Sequence, residues 1–362
     1  MNAAERVALR AESVNPVELT RMGFGGAPLG NLYRAVSDAE AQATVDAALA
    51  LGLRYIDTAP QYGLGLSEQR IAQALARHPE LERPKLTLST KVGRLLQDCP
   101  PDAVTPTAFV DVPQRRIVYD YSYDGVMRSH EASLKRLGVD RVDILFVHDV
   151  DAFTHGSTAA RDARVRELFD QGGYRALESL RAAGQVRAIG AGVNEWEVCQ
   201  TLLGLGDFDC FLLAGRYTLL EQDALNSFLP LCVERDVGII LGGPYNSGIL
   251  ATGPVENARY NYAPAPPEIM QRVRDIEAVC TAHGVKLIEA ALQFVLGHPA
   301  VKTVIPGAMS AAEVTTNVEL FSRTVPEQLW ADLKTAGLLR PDAHAPSAAP
   351  TEPSTANTLT ED

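Results

Sequence analysis

The chain has 362 residues, of which 46% are hydrophobic, enough to bury the core of one large α/β barrel or of two ordinary domains. A formal net charge of −12 gives an acidic surface that repels polyanions, which argues against nucleic acid and anionic membranes as partners and leaves small molecules. The five cysteines, Cys99, Cys199, Cys210, Cys232 and Cys280, are odd in number and form no CxxC or Cys/His cluster, so neither a disulfide framework nor a zinc site is expected. Reduced, mostly buried thiols in cytoplasm are the expectation.

Residues 1–18 are polar and mixed in charge, unlike a secretory signal, and read as an N-terminal extension. No apolar run approaches the ~20 residues of a membrane helix. Between Thr20 and Gly337 short apolar runs alternate with amphipathic stretches. TRMGFG from Thr20 is the first strand candidate, and Ser37-Asp-Ala-Glu40 is a capping box opening a helix through Ala50. RYIDTA from Arg54 precedes a helix from Leu66 to Ala76 with Ile71 and Leu75 on one face. LTLSTKV from Leu86 precedes a helix from Ser122 to Leu137. DILFVHD from Asp143 precedes one carrying Tyr174, Leu177 and Leu180. AIGAGV from Ala188, CFLLAG from Cys210, GIILGG from Gly238 and TVIPGA from Thr303 complete eight strands, with further helices over Leu225–Asp236, Ile288–Leu296 and Ala311–Phe321.

Continuous apolar runs suit parallel strands covered on both faces, and eight such units predict a single (β/α)8 TIM barrel over residues 19–340. A doubly wound sheet is the competitor, but GFGGAP after the first strand lacks the GxGxxG spacing. Two segments break the rhythm, Leu95–Tyr119 after the third strand and Gly253–Pro267 after the seventh. Both fall on the C-terminal rim, where barrels carry their active-site loops. Residues 341–362, rich in Pro, Ala, Ser and Thr, read as a disordered tail.

Four polar residues stand at or just beyond strand ends: Asp57 after RYI, Tyr62 five residues on, Lys91 after LTLST and His148 after DILFV. Each alone has an ordinary explanation, as a helix cap, packing, a solvated charge or a core histidine. Together, from successive strands, they would satisfy one another at one rim, which buried charges require.

The stretches IDTAPQYGLGLSE, STKVGR, SHEASLKRLGVDRVDILFVHD and GQVRAIGAGV resemble the aldo-keto reductase family from about Leu19 to Asn317. The resemblance implies a catalytic set of Asp57, Tyr62, Lys91 and His148, no metal, and NAD or NADP extended across the rim. A phenol near pKa ~10 is a poor base; Lys91 is expected to lower it by about 1–3 units, with Asp57 holding Lys91 and His148 orienting the substrate oxygen. The run GGPYNSGILATG resembles the family's pyrophosphate loop, which points to Gly243, Pro244, Tyr245, Asn246, Ser247, Gly248 and Leu250. IPGAMSAAEVTTN resembles the adenosine segment, with Gly307, Ser310, Glu313 and Asn317. That segment holds no Lys or Arg, so NAD is expected over NADP. Asn194 is the candidate for the nicotinamide carboxamide, although Ala214 stands where many members carry a Gln.

VHDVD, AGRYTLLEQ and YNSGIL resemble the sugar-oxidising branch, the L-fucose, D-threo-aldose and pyridoxal 4-dehydrogenases, which oxidise a hemiacetal carbon to a lactone. Asn31, Gln61, Arg94 and Asp149 are the candidates for binding the other substrate groups. Three other readings stay open: a general aldehyde or ketone reductase of the same family, a non-catalytic NAD(P)-binding regulatory subunit, and a metal-dependent barrel hydrolase with Asp57, His148 and Asp149 as ligands.

Overall fold

All eight expected strands form and lie in one parallel sheet in chain order: β1 (Phe24–Gly25), β2 (Tyr55–Asp57), β3 (Thr87–Val92), β4 (Ile144–His148), β5 (Ala188–Val193), β6 (Cys210–Ala214), β7 (Gly238–Gly242) and β8 (Val301–Ile305). Parallel bridges from Met22 to Val304 and from Gly25 to Gly307 join the last strand to the first, so the sheet closes as a TIM barrel. The computed structural model describes residues 1–11, 16–81 and 83–346; the remainder of the expected tail, 347–362, lies outside the described residues.

Side chains of a strand alternate between the two faces of the sheet. Tyr55, Ile144, Phe146, Ala188, Cys210, Leu212, Ile240 and Ile305 fill the barrel interior. The intervening positions, such as Ile56, Leu145, Val147, Ile189 and Leu241, pack under the helices. The inward series therefore runs Tyr55–Asp57 on β2, Ser89–Lys91 on β3 and Phe146–His148 on β4, with Asp57 paired in register to Ser89, and Lys91 to Phe146. An apolar floor and a polar upper layer follow from the order of residues along each strand.

The N-terminal extension is integrated into the barrel. Arg6–Ala8 pairs antiparallel with Glu18–Thr20. Leu9, Val17 and Leu19 are buried against the interior cluster, each contributing roughly 1.5–3 kcal/mol. Residues 341–346, counted in the tail by composition, pack on the barrel: Ala343 is buried and the His344 ring meets His298 edge-on at 4.8 Å.

The Ser37–Glu40 capping box is present, and Ser122 caps the helix Tyr123–Leu137. Additional helices are Thr158–Asp170, Trp196–Leu205, Pro267–Ala282 and Glu327–Thr335. Among the described residues no single helix is long and apolar enough to cross a membrane. All five cysteines are unpaired and four are buried. Both irregular segments become hairpins, Arg94–Asp98 with Arg115–Tyr119 and Arg259–Tyr260 with Ala263–Pro264.

Candidate active site

The upper layer of the barrel brings Asp57, Lys91 and His148 together. Lys91 Nζ donates to Asp57 Oδ2 at 2.7 Å and to the Thr58 carbonyl at 2.9 Å. Ser89 Oγ donates to Asp57 Oδ1 at 2.7 Å, which leaves the Tyr55 hydroxyl as donor to Ser89 at 2.9 Å. Lys91 and Asp57 are 1% and 2% exposed, so this ion pair is desolvated and held by further hydrogen bonds, as such pairs must be. Gly192 on β5 makes room for it: a Cβ there would lie 3.2 Å from Lys91 Cε.

Tyr62 enters from the loop after β2. Gly63, at φ 63°, touches the backbone of Gly30, where a Cβ would meet the Gly30 carbonyl at 2.4 Å, so the first two rim loops lock together and hold Tyr62. Its ring covers Lys91 Nζ at 4.7 Å and meets the His148 ring edge-on at 6.0 Å. His148 Nε2 lies 3.2 Å from Asp149 Oδ2, while Nδ1 is buried with no hydrogen-bond partner. Asp149 accepts from Arg94 Nη2 and, at 3.0 Å, from Asn194 Nδ2.

Electrostatics assign the resting protonation states. Burial pushes the Tyr62 phenol well above its ordinary value, and Asp57 and Asp149 push it further. The expected lowering by Lys91 is not realised, because that charge is committed to Asp57. Burial, with Arg94 and Lys91, holds His148 well below the ordinary imidazole range, so it is neutral. Burial raises Asp57, against the pull of Lys91. Burial and Asp151 raise Asp149 to about 7, against Arg94, Lys91 and the Asn194 hydrogen bond. A protonated phenol beside a neutral imidazole is ready to give a proton to a carbonyl oxygen. The reverse reaction needs the phenolate, whose fraction grows about tenfold per pH unit below its pKa. Oxidation should therefore accelerate from about pH 6 to 9 while reduction stays nearly level; initial rates in both directions check this, and a flat oxidation profile would contradict it.

The other expected residues divide. The Asn31 side chain is spent on the loop after β1, its oxygen accepting from Val36 N at 3.0 Å and Arg70 Nη1 at 2.8 Å, so it drops from the substrate set. Gln61 is half-buried beside Tyr62. In the loop after β7, Gly243, Asn246, Ser247 and Gly248 all have positive φ, which turns successive backbone N–H groups. Asn246 Oδ1 is buried without a partner, and a Cβ on Gly248 would meet nothing within 4 Å. Pro244 and Leu250 are buried, which leaves only their backbone for a ligand. The Tyr245 hydroxyl donates to Asn317 Oδ1 at 2.7 Å, tying this loop to the helix Ala311–Ser322. Ser310 caps that helix, and Glu313 Oε2 accepts from Met309 N at 2.8 Å. Gly307 pairs with Gly25 at the barrel seam. The small residues, the orphaned Asn246 oxygen and the capped helix N-terminus fit a dinucleotide laid along this rim.

Several rim residues were not singled out by sequence. Tyr121 donates to the His148 carbonyl at 2.8 Å. Phe109, from the first hairpin, lies 6.1 Å from the Tyr62 ring. Tyr262, from the second, donates to Asn194 Oδ1 at 3.0 Å. Only the position of these hairpins on the C-terminal rim was legible.

A metal reading loses its ligands, since Asp57 is taken by Lys91 and Ser89, and among the described residues no three His, Cys, Asp or Glu groups gather to hold an ion. Residues 21–337 match the aldo/keto reductase family. The chain is 38% identical to pyridoxal 4-dehydrogenase of Microbacterium luteolum, over 94% of this chain and 99% of that one. It is also 38% identical to D-threo-aldose 1-dehydrogenase of a Pseudomonas species, with the same coverage. The fold matches a holo-form aldo-keto reductase of Bacillus halodurans with a TM-score of 0.70 at 22% identity, over 95% of this chain and 97% of that one. With this barrel and this rim, the chain belongs to the aldo/keto reductase family and is an oxidoreductase of that family.

Proposed function

We propose that the protein is a cytoplasmic NAD(P)-dependent dehydrogenase that oxidises the C1 hemiacetal of an aldose, such as L-fucose or a D-threo-aldose, to the lactone. The observation that carries this reading is the layer around His148, where Asp149, Arg94 and Asn194 put hydrogen-bonding groups beside the acid–base pair. A polyhydroxylated substrate can hydrogen-bond to such groups, which reads its hydroxyls in a way that an apolar pocket does not. Similarity to an aldose 1-dehydrogenase supports it.

The rim from Gly243 to Gly248, with Gly307, Ser310, Glu313 and Asn317, would hold the dinucleotide; the Asn194 side chain, expected at the carboxamide, is engaged by Asp149 and Tyr262 instead. The bound nicotinamide supplies the hydride acceptor. The protein's own groups do the rest. Tyr62 takes the proton from the anomeric hydroxyl, His148 Nε2–H binds and orients the same oxygen, and Lys91 with Asp57 fixes the charge beneath the phenol. Such an intact set would have no use in a regulatory subunit. Oxidation of pyridoxal is the second reading, favoured by the aromatic rim of Phe109, Phe153 and Tyr262, the last two 5.9 Å apart. Assays of aldoses and pyridoxal with each cofactor, following reduced-cofactor absorbance, decide between them. Aldonolactone from an aldose is expected; turnover of pyridoxal alone would overturn the aldose reading.

NAD is the expected cofactor. A 2′-phosphate carries about two negative charges and needs cationic partners. Residues 307–317 offer none, and Arg259 is stacked on Tyr33 at 5.0 Å. A carboxylate such as Glu313 instead accepts from a free 2′-hydroxyl. Comparing kcat/KM for the two cofactors should show an NAD advantage that Glu313→Arg shifts toward NADP; an NADP advantage in the unaltered protein would contradict this.

A further inference from the structure

Among the described residues Asp149 is the one carboxylate within 4 Å of a ring nitrogen of His148, and it lies there in a demanding conformation. It follows His148 directly at the end of β4 with φ 49°, a left-handed conformation that non-glycine residues avoid. Its backbone N–H is fixed on the Gly192 carbonyl at 2.9 Å. The side chain is buried: Oδ1 accepts from Asn194 and Oδ2 from Arg94, while His148 Nε2 lies 3.2 Å from Oδ2 without a hydrogen bond between them. His148 Nδ1 is buried without a partner, so Nε2 is the nitrogen left to face a ligand, with Oδ2 beside it.

A reacting oxygen held at Nε2 lies beside Asp149 Oδ2, which is buried and whose one hydrogen bond comes from Arg94, so that a lone pair stays open towards the substrate. Whatever substrate atom then faces Oδ2 must donate a hydrogen bond, because a C–H group would leave a buried charge under-satisfied and an acceptor would be repelled. Oδ2 lies within hydrogen-bond distance of the nitrogen that holds the reacting oxygen. The nearest substituent with that reach is one on the adjacent carbon.

We infer that Asp149 is a specificity-determining residue that accepts a hydrogen bond from the hydroxyl on the carbon next to the reacting one, so that the enzyme selects 2-hydroxylated hemiacetals over their 2-deoxy counterparts. Arg94 and Asn194 hold the carboxylate in place for this contact. The inference rests on the aldose reading above and adds which hydroxyl is read and by which atom.

The test compares an aldose with its own 2-deoxy analogue, first with the unaltered protein and then with Asp149→Asn, which keeps the side-chain shape and tolerates the left-handed backbone. Assays at alkaline pH keep Asp149 ionised, above its value of about 7. A hydrogen bond to a charged group corresponds to a preference of about 10- to 100-fold in kcat/KM for the 2-hydroxylated sugar. In Asp149→Asn that ratio should fall toward one. A merely structural role would lower turnover of both sugars equally and keep the ratio. Equal turnover of both sugars by the unaltered protein, or a ratio unchanged in Asp149→Asn, would overturn the inference while leaving the aldose reading standing. Turnover of no aldose at all would overturn both. The comparison in the unaltered protein stands even where the variant fails to fold.

Discussion

Replacing Tyr62 with Phe should reduce turnover by about 10²-fold or more, the usual contribution of a general acid–base group, while cofactor binding persists. The substitution keeps the ring that covers Lys91 and meets the His148 ring, and removes only the oxygen. Its partners are not left with an unmet bond, since Lys91 is satisfied by Asp57 and Thr58. The effect should therefore appear in kcat with little change in stability. Steady-state kinetics together with a cofactor titration monitored by intrinsic fluorescence separate the two. Near-normal turnover in Tyr62→Phe would remove the phenol from the mechanism.

Lys91→Met should have the largest effect on stability. The pair is almost fully buried, and removing one partner strands the Asp57 carboxylate, which destabilises by about 3–5 kcal/mol. The loss depends on pH in a defined direction. Burial raises the folded-state pKa of Asp57 and Lys91 is the largest force opposing that rise, so its removal sends the pKa higher. A folded-state pKa above the unfolded value, near ~4, means that the folded form binds the extra proton. Destabilisation by Lys91→Met should then grow as pH rises above about 4 and fade below it. Urea unfolding at mildly acid and neutral pH reads this out, and an equal loss at both would contradict it. Adding Asp57→Leu should recover stability, as apolar replacement of a buried pair often does, without recovering turnover.

The parts of the molecule differ in how far they could be read in advance. The barrel strands were legible because a parallel strand covered on both faces must be apolar along its length, as in Ile144–His148 and Gly238–Gly242. The polar layer above them was legible in part: Asp57 and Lys91 interrupt apolar runs and pair with each other, whereas His148, expected to share in that pairing, lies beside Asp149. The helix Thr158–Asp170 was not, because it buries only Val165 and Leu168 and shows little amphipathic pattern. Asn31 read as a substrate-binding candidate in sequence, but its amide oxygen accepts from Val36 and Arg70 and its Nδ2 donates to the Asp111 carbonyl. The pairing of Arg94 with Asp149 spans 55 positions and leaves no local signal. The protonation of Tyr62 was misjudged because type and spacing reveal a neighbouring lysine, but not that an aspartate has already taken its charge.

The most direct measurement of the central claim uses an aldose carrying deuterium at C1. The protein, this sugar and NAD are mixed, and the reduced cofactor and the sugar product are analysed by mass. Transfer from C1, with Tyr62 taking only the hydroxyl proton, predicts one deuterium on the reduced cofactor and an aldonolactone without it. Reduced cofactor free of deuterium, or a lactone that retains it, would contradict the account.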